Sequence, residues 1–228
     1  MTGASQGIGA AIAVALADAG WTIYAVARRR DALNRLADSR PDGRIVPAPA
    51  DLTDDHDVVR LVQLVSASGP IGVLVHAAGR LGRGSVNETD PESLAEMLKT
   101  NFVAPYALTR ALLALLPRGS SLVVLNSSQG VRATGGTAAY AASKHALKGF
   151  TDALRDEISE RGIRVTSIYP GRTATPGQAE LYDAMSMPYH PEVLLQPESI
   201  AQLVLAIVEL PPTAEVTDIY VRPALKSY

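Results

Sequence analysis

Thr2-Gly3-Ala4-Ser5-Gln6-Gly7-Ile8-Gly9 opens the chain and runs directly into 8–19, where apolar residues recur at helical spacing. Glycines at such a junction let backbone approach a pyrophosphate, and the helix N-terminus behind them offers free amides and the positive end of a dipole. A glycine-rich loop serves equally well as a plain turn, and its G-x-x-x-G-x-G spacing differs from the G-x-G-x-x-G dinucleotide fingerprint. The elements after the loop therefore decide its meaning. Residues 22–27 (TIYAVA), 71–76 (IGVLVH), 121–126 (SLVVLN) and 164–169 (RVTSIY) are short, nearly continuous apolar runs rich in β-branched residues. Runs of this kind suit strands buried on both faces of a parallel sheet. Helical stretches separate them: 58–65 follows an acidic opening at Asp54, Asp55 and Asp57, and 199–210 follows Pro197-Glu198. Alternation of this kind predicts an α/β domain with helices on both faces of the sheet. Residues 170–197, rich in proline, predict one long elaborated loop of the kind that is usually functional.

The chain has 228 residues, which at roughly 150 per domain predicts a single domain, 1–228, with a sizeable core. Hydrophobic residues make up 47% and charged residues 19%, a globular balance that excludes wholesale disorder. With 21 basic and 23 acidic residues the formal charge is −2, so neither nucleic acid nor an anionic membrane is an expected partner. Cysteine is absent, which excludes disulfides, cysteine-bearing zinc sites and thiol catalysis, and no metal site is expected. Apolar runs such as 10–17 and 111–116 fall far below the ~20 residues that cross a bilayer, and the glycine-rich start is no secretory signal. The expectation is a soluble, cytoplasmic protein.

Two further clusters point to chemistry. Tyr140-Ala141-Ala142-Ser143-Lys144 sets a phenol and an ammonium one helical turn apart. An ammonium beside a phenol favours the phenolate, making the tyrosine a usable acid or base nearer neutral pH. A surface Tyr and Lys on a helix would share this spacing, but lysine is scarce here, with only Lys99, Lys144, Lys148 and Lys226. Asn126-Ser127-Ser128 ends a buried strand, and in open α/β sheets ligands lie at the carboxyl ends of strands. A serine there also serves as a turn former or helix cap.

Taken together these residues resemble the short-chain dehydrogenase/reductases, along essentially the whole chain. TGASQGIG at 2–9 resembles the family's T-G-x-x-x-G-x-G coenzyme loop, Asp51-Leu52 its adenine-contacting turn, and Asn101 in KTNF its helical asparagine. Ser127, Tyr140 and Lys144 match the catalytic serine and Y-x-x-x-K, with Ser128 as the alternative serine. Pro170-Gly171, with Thr173 and Thr175 beyond, resembles the segment that closes over the nicotinamide, and His76-Ala77-Ala78-Gly79 stands where the family has N-N-A-G. The resemblance implies a Rossmann-type doubly wound parallel sheet and hydride transfer between a nicotinamide cofactor and a carbonyl or secondary alcohol. It further implies that Tyr140 carries the proton and that Lys144 lowers its pKa and binds the ribose. Ser127 would hold the substrate oxygen, and Asn101 would anchor a water. Implied coenzyme contacts are Gly3, Ser5, Gln6, Gly7, Ile8, Gly9, Arg28, Asp51, Leu52, Ala78, Gly79, Tyr140, Lys144, Pro170, Gly171, Thr173 and Thr175. Relatives are commonly homodimers or homotetramers built on two long helices, here near 92–116 and 138–161.

Ala27 and Arg28 stand where an acidic residue would accept the ribose 2′-hydroxyl of NAD, so NADP is the expected coenzyme, with NAD the alternative. A basic start to the next helix would look the same. His76 is read as replacing a structural asparagine, and Arg172 as meeting an acidic substrate group, a coenzyme phosphate or a surface salt-bridge partner. The substrate is expected in a pocket lined by 133–137 and a loop at 172–197, with Tyr182, Met185, Met187 and Tyr189 as apolar contacts. Two other functions fit the same fold: a non-catalytic redox sensor or partner subunit, and a sugar-nucleotide epimerase or dehydratase. One element is missing from the pattern. The family's first strand should precede Thr2, where only Met1 stands. The expectation is a chain that starts upstream or an altered sheet, with an empty slot whose neighbours lie nearly 10 Å apart and a poorly ordered coenzyme loop.

Overall fold

The computed structural model describes residues 1–225, and Lys226 lies outside them. Among the described residues six parallel strands form the sheet: β1 (Ile23–Ala27), β2 (Ile45–Pro49), β3 (Val73–His76), β4 (Ser121–Leu125), β5 (Arg164–Pro170) and β6 (Asp218–Val221). Their order is β2-β1, then β3-β4-β5-β6. Thr2 joins the two groups, bridging in parallel to Val26 of β1 and to His76 of β3. Thr2 N donates to the Val75 carbonyl at 2.9 Å, Val26 N to the Met1 carbonyl at 2.9 Å, and Ala4 N to the Val26 carbonyl at 3.2 Å. The first strand is thus truncated, as expected, and the expectation of a slot left empty is corrected only at its carboxyl end. Met1–Ala4 pair on both sides at the carboxyl end of the slot, where the coenzyme loop begins, and these bonds tie the loop down.

Among the same residues eight α-helices flank the sheet: α1 (Gly7–Asp18), α2 (Arg30–Asp38), α3 (Asp55–Ser66), α4 (Pro91–Leu98), α5 (Ala104–Leu112), α6 (Ala138–Ile158), α7 (Pro176–Ala184) and α8 (Pro197–Val208). On α1 the buried residues Gly9, Ile12, Ala13, Leu16 and Ala17 repeat at three and four, making one apolar face. That face packs on the sheet with Ile200, Val204 and Ile207 of α8. Leu61, Leu108, Leu112, Leu147 and Leu154 from α3, α5 and α6 cover the opposite face. Within β4 the alternation is plain: Val123 and Leu125 join the first core, Leu122 and Val124 the second. All five of its residues are buried, which is why this strand reads as a continuous apolar run.

The predicted long loop at 170–197 is corrected as well, because its middle is helical. Thr175 caps α7 by accepting from Gln178 N at 3.2 Å, and Pro176 sits at the first helical position, where a missing N–H costs nothing. Among the described residues no helix is long and apolar enough to cross a membrane.

Candidate active site

Each element that carries a predicted site residue delivers it at the carboxyl edge of the sheet. Loop 2–9 shows why glycine is needed there. Gly3 adopts φ +71°, and a Cβ on it would lie 2.5 Å from the Ala77 and Ala78 backbone. A Cβ on Gly9 would lie 2.1 Å from the Gly3 carbonyl oxygen, so the first turn of α1 presses directly on the loop. At Gly7, φ +55°, a Cβ would come within 3.0 Å of the Thr175 methyl. The glycine loop and the Pro170–Thr175 segment therefore share one wall. Thr2 completes the tie, its hydroxyl accepting from Ala77 N and Ala78 N at 3.2 Å each. The outcome is a backbone cradle over the unpaired amides of a helix N-terminus, which fits a dinucleotide pyrophosphate. We expect Gly9→Ala to displace the loop at a cost of about 1–3 kcal/mol, since only backbone can give way. NADPH affinity, followed by coenzyme fluorescence, should fall by about tenfold or more, whereas Gly149→Ala, with nothing within 4 Å of its added Cβ, should bind normally.

At the adenosine end Arg28 is exposed beyond β1, and Asp51 lies near it after β2. Burial pushes the Asp51 carboxyl up, but bonds from Thr53 and the charges of Arg28 and Lys99 outweigh it and hold the group below its usual range. Arg29 donates to the Gln6 side-chain oxygen, linking the start of α2 to the glycine loop. A concavity of about 230 Å³ opens beside them, lined by Arg29, Arg30, Asp31, Ala32 and Arg35. Leu52 packs into the second core, Ser5 is half-buried, and Ile8 packs against the first core.

The catalytic candidates converge between β4 and α6. Tyr140 and Lys144 share the buried face of α6, at 8% and 4% exposure. Ser127 is buried at the end of β4, near enough to the Tyr140 phenol to pull its pKa down, whereas Ser128 is exposed. Geometry thus selects Ser127 as the serine that faces the tyrosine. Asn101 lies on a π-helical turn, Lys99–Val103, between α4 and α5. A Cβ on Gly79 would meet its Oδ1 at 3.3 Å and Lys144 Nζ at 3.6 Å, so Gly79, Asn101 and Lys144 form one cluster.

The resemblance implies that Lys144 lowers the phenol pKa; burial of the Tyr140 side chain pushes it up, with the Ser127 hydroxyl opposing. Lys144 itself is pushed down to about 8 by burial, with Nζ donating to the Leu125 carbonyl at 3.0 Å and standing 6.0 Å from the tyrosine ring centroid. The resemblance also implies that Asn101 anchors a water; its carboxamide is engaged within the fold at both ends. Its Oδ1 accepts from Arg80 N at 2.7 Å, and its Nδ2 donates to the Arg80 carbonyl at 3.0 Å and to Ser143 Oγ at 2.9 Å. Arg172 donates to the Tyr182 hydroxyl at 3.3 Å.

Sequence reasoning passes over two positioning residues. Asn126 accepts from Ser127 N at 2.8 Å and donates to the Lys144 carbonyl at 3.2 Å, locking the end of β4 to α6. Ser143 relays Asn101 to the Tyr140 carbonyl at 2.7 Å. A polar residue at each end of a buried strand–helix contact is the available signal. His76 is buried, its Nε2 bonded to Thr109 Oγ1 at 2.8 Å, and burial pushes it down to about 3. It is therefore neutral at physiological pH, with a single ring N–H. In the loop beyond β5, Thr173 is buried and bonds the Gly171 carbonyl at 3.1 Å, while Pro170 pairs with Val221. Tyr182 is buried edge-on against Tyr189, centroids 5.5 Å apart, with Met185 half-buried and Met187 exposed beyond α7.

Comparison with known proteins gives a consistent picture. Residues 1–186 match the short chain dehydrogenase family. An uncharacterized short-chain type dehydrogenase/reductase of Sinorhizobium fredii is 34% identical, over 98% of this chain and 90% of the relative. An alcohol dehydrogenase from the archaeon Thermococcus sibiricus, complexed with 5-hydroxy-NADP, superposes with a TM-score of 0.88 at 26% identity, covering 100% of this chain and 97% of the other. Actinorhodin polyketide ketoreductase with NADPH superposes at 0.89 with 28% identity, covering 100% and 96%.

Proposed function

From the premise that the chain belongs to the short-chain dehydrogenase/reductase family and is a dehydrogenase/reductase, we propose an NADP(H)-dependent oxidoreductase acting on a carbonyl or secondary alcohol. Residues 1–228 act as one dinucleotide-binding domain, with 172–197 as its substrate wall. The observation that carries the reading is the convergence of Ser127, Tyr140 and Lys144 on one buried face beside Gly79 and Asn101.

When bound, the nicotinamide coenzyme supplies or accepts the hydride. Gly3, Gly7 and Gly9 admit its pyrophosphate, and Thr173, Thr175 and Pro170-Gly171 border its nicotinamide end. Tyr140 holds the proton at its phenol oxygen and gives it to the substrate oxygen in reduction, taking it back in oxidation. Ser127 bonds that oxygen as charge develops on it. Lys144, whose Nζ also bonds the Leu125 carbonyl, would hold the coenzyme's ribose hydroxyls, and Asn101 positions the Gly79-Arg80 turn and, through Ser143, the Tyr140 backbone. The apolar surface of Val103 and Tyr106, about half exposed beside Phe150, supports pairing of two copies through α5 and α6. Coenzyme oxidation with a panel of aldehydes and ketones tests the reading, and no turnover of any of them with NADPH or NADH would sink it.

The coenzyme choice rests on Arg28 and the absence of an acidic residue at the end of β1. Arg28→Ala should weaken NADPH binding by about 1.5–3 kcal/mol, the range for hydrogen bonds to charged groups, and change NADH much less. Equal losses for the two coenzymes would remove the assignment to the 2′-phosphate.

A further inference from the structure

The loops that follow β3, β4 and β5 differ in charge from the rest of the chain. Residues 77–90, 126–137 and 170–176 carry Arg80, Arg83, Arg132 and Arg172 against Glu88 and Asp90, whose carboxylates accept from Ser85 and Ser93, in a chain with 21 basic and 23 acidic residues. These are the loops that border Ser127, Tyr140 and Lys144. Two of the arginines have work within the fold: Arg80 pairs with Glu96 of α4, and Arg172 donates to the Tyr182 hydroxyl, its guanidinium 6.0 Å from the ring centroid. Arg83 and Arg132 are different. Both are exposed, and among the described residues neither has an acidic partner.

Their loops are joined to each other. Gly84 N donates to the Gly136 carbonyl at 2.9 Å, and the Arg83 Nε would lie 3.6 Å from a Cβ on Gly136. Arg132 N donates to the Ser128 carbonyl at 3.0 Å, fixing the Arg132 backbone close to the end of β4. Arg83 and Arg132 thus belong to the segment between Ser127 and Tyr140 and the loop docked on it, with the Arg83 side chain lying against Gly136. The coenzyme's negative charges are provided for elsewhere, at the first turn of α1 and at Arg28.

We infer that the substrate is an anion, a carbonyl or alcohol carrying a carboxylate or phosphate that Arg83 and Arg132 bind at the mouth while its oxygen reaches Ser127 and Tyr140. Guanidinium is the side chain best matched to either group, because its planar donors can engage two oxygens at once. A cleft lined with one sign of charge also draws an oppositely charged substrate in, and that attraction weakens as salt rises. This inference rests on the reading of the site as a carbonyl reductase.

The test compares matched substrates with NADPH: 2-, 3- and 4-oxo acids against their methyl esters, and dihydroxyacetone phosphate against dihydroxyacetone. The anion of the preferred pair should have the higher kcat/KM, and Arg83→Ala together with Arg132→Ala should cut that preference by about tenfold or more, mainly through KM. Turnover of the neutral partner and the NADPH Kd should stay near wild type. Which pair responds tells carboxylate from phosphate. Neutral carbonyls reduced as well as their anions, or a preference unmoved in the double variant, would overturn the inference and leave the carbonyl-reductase reading intact. Loss of NADPH affinity in the double variant would assign the arginines to the coenzyme and also overturn it. Failure to reduce any compound of either class would remove the underlying reading and this inference with it.

Discussion

Tyr140→Phe should lower kcat by about 10²–10⁴-fold on any substrate the wild-type enzyme turns over, while NADPH binds with near-normal affinity. The ring is 8% exposed and fills the space between α6 and β4, so phenylalanine keeps the packing and removes one oxygen. That oxygen holds the proton. Burial pushes the Tyr140 phenol up, so it is protonated at neutral pH and suited to donate in carbonyl reduction. In the oxidative direction the same shift is a handicap, and the variant's defect should be accompanied in wild type by faster alcohol oxidation as pH rises. The Ser127 hydroxyl keeps its bond from Gln129 N at 3.2 Å, which holds it in place. Single-turnover measurements separate the proton step from coenzyme binding. A phenylalanine variant with near-normal kcat would show that Tyr140 is not the proton carrier.

How far the sequence is legible depends on which residues need burial on both sides. Strands β1, β3, β4 and β5 lie inside the sheet and read as β-branched runs, each within two residues of its observed ends. The edge strands carry no such signal. IVPAP of β2 has two prolines, which an interior strand would not tolerate, and DIYV of β6 is short and polar at its start. Helix α7 is masked by Pro176-Gly177, residues that ordinarily break helices but here stand at a helix start. The slot before Thr2 looks empty in the sequence because one residue bridging two strands leaves no run to detect. In the site, Tyr140 and Lys144 are legible because helical spacing sets side chains four apart on one face. The direction of their pKa shifts is not, since spacing reports proximity and says nothing about desolvation. The π turn at Asn101 has no periodic signature either, and only its geometry shows both ends of the carboxamide engaged.

Lys144→Met should make a more stable protein with little or no activity. The ammonium is 4% exposed, and among the described residues its hydrogen bond runs to the Leu125 carbonyl at 3.0 Å. Burial pulls it from 10.5 to about 8 in the folded chain. Between those values the unfolded chain binds more protons than the folded one, so stability rises with pH across that window. Below pH 8 the charge is carried in both states and the burial penalty is fully present, amounting to about 3 kcal/mol. Methionine has similar length and no charge to bury. It leaves the Leu125 carbonyl without its donor, a loss of about 1 kcal/mol, so the net gain at pH 7 should be about 2 kcal/mol. That gain should shrink as pH climbs from 8 toward 10.5, where the wild-type lysine becomes neutral in the folded chain first. Tyr140 titrates against stability near and above pH 10, but wild type and variant share it, so the difference between their urea midpoints isolates the lysine. Turnover should fall about 10²-fold or more, and NADPH should bind more weakly for want of the ribose donor. A site that holds a strained charge for chemistry trades stability for activity in this way. Equal stability of the two proteins at pH 7, with parallel pH profiles, would show that the ammonium is not under a burial penalty and would undercut its placement at the floor of the site.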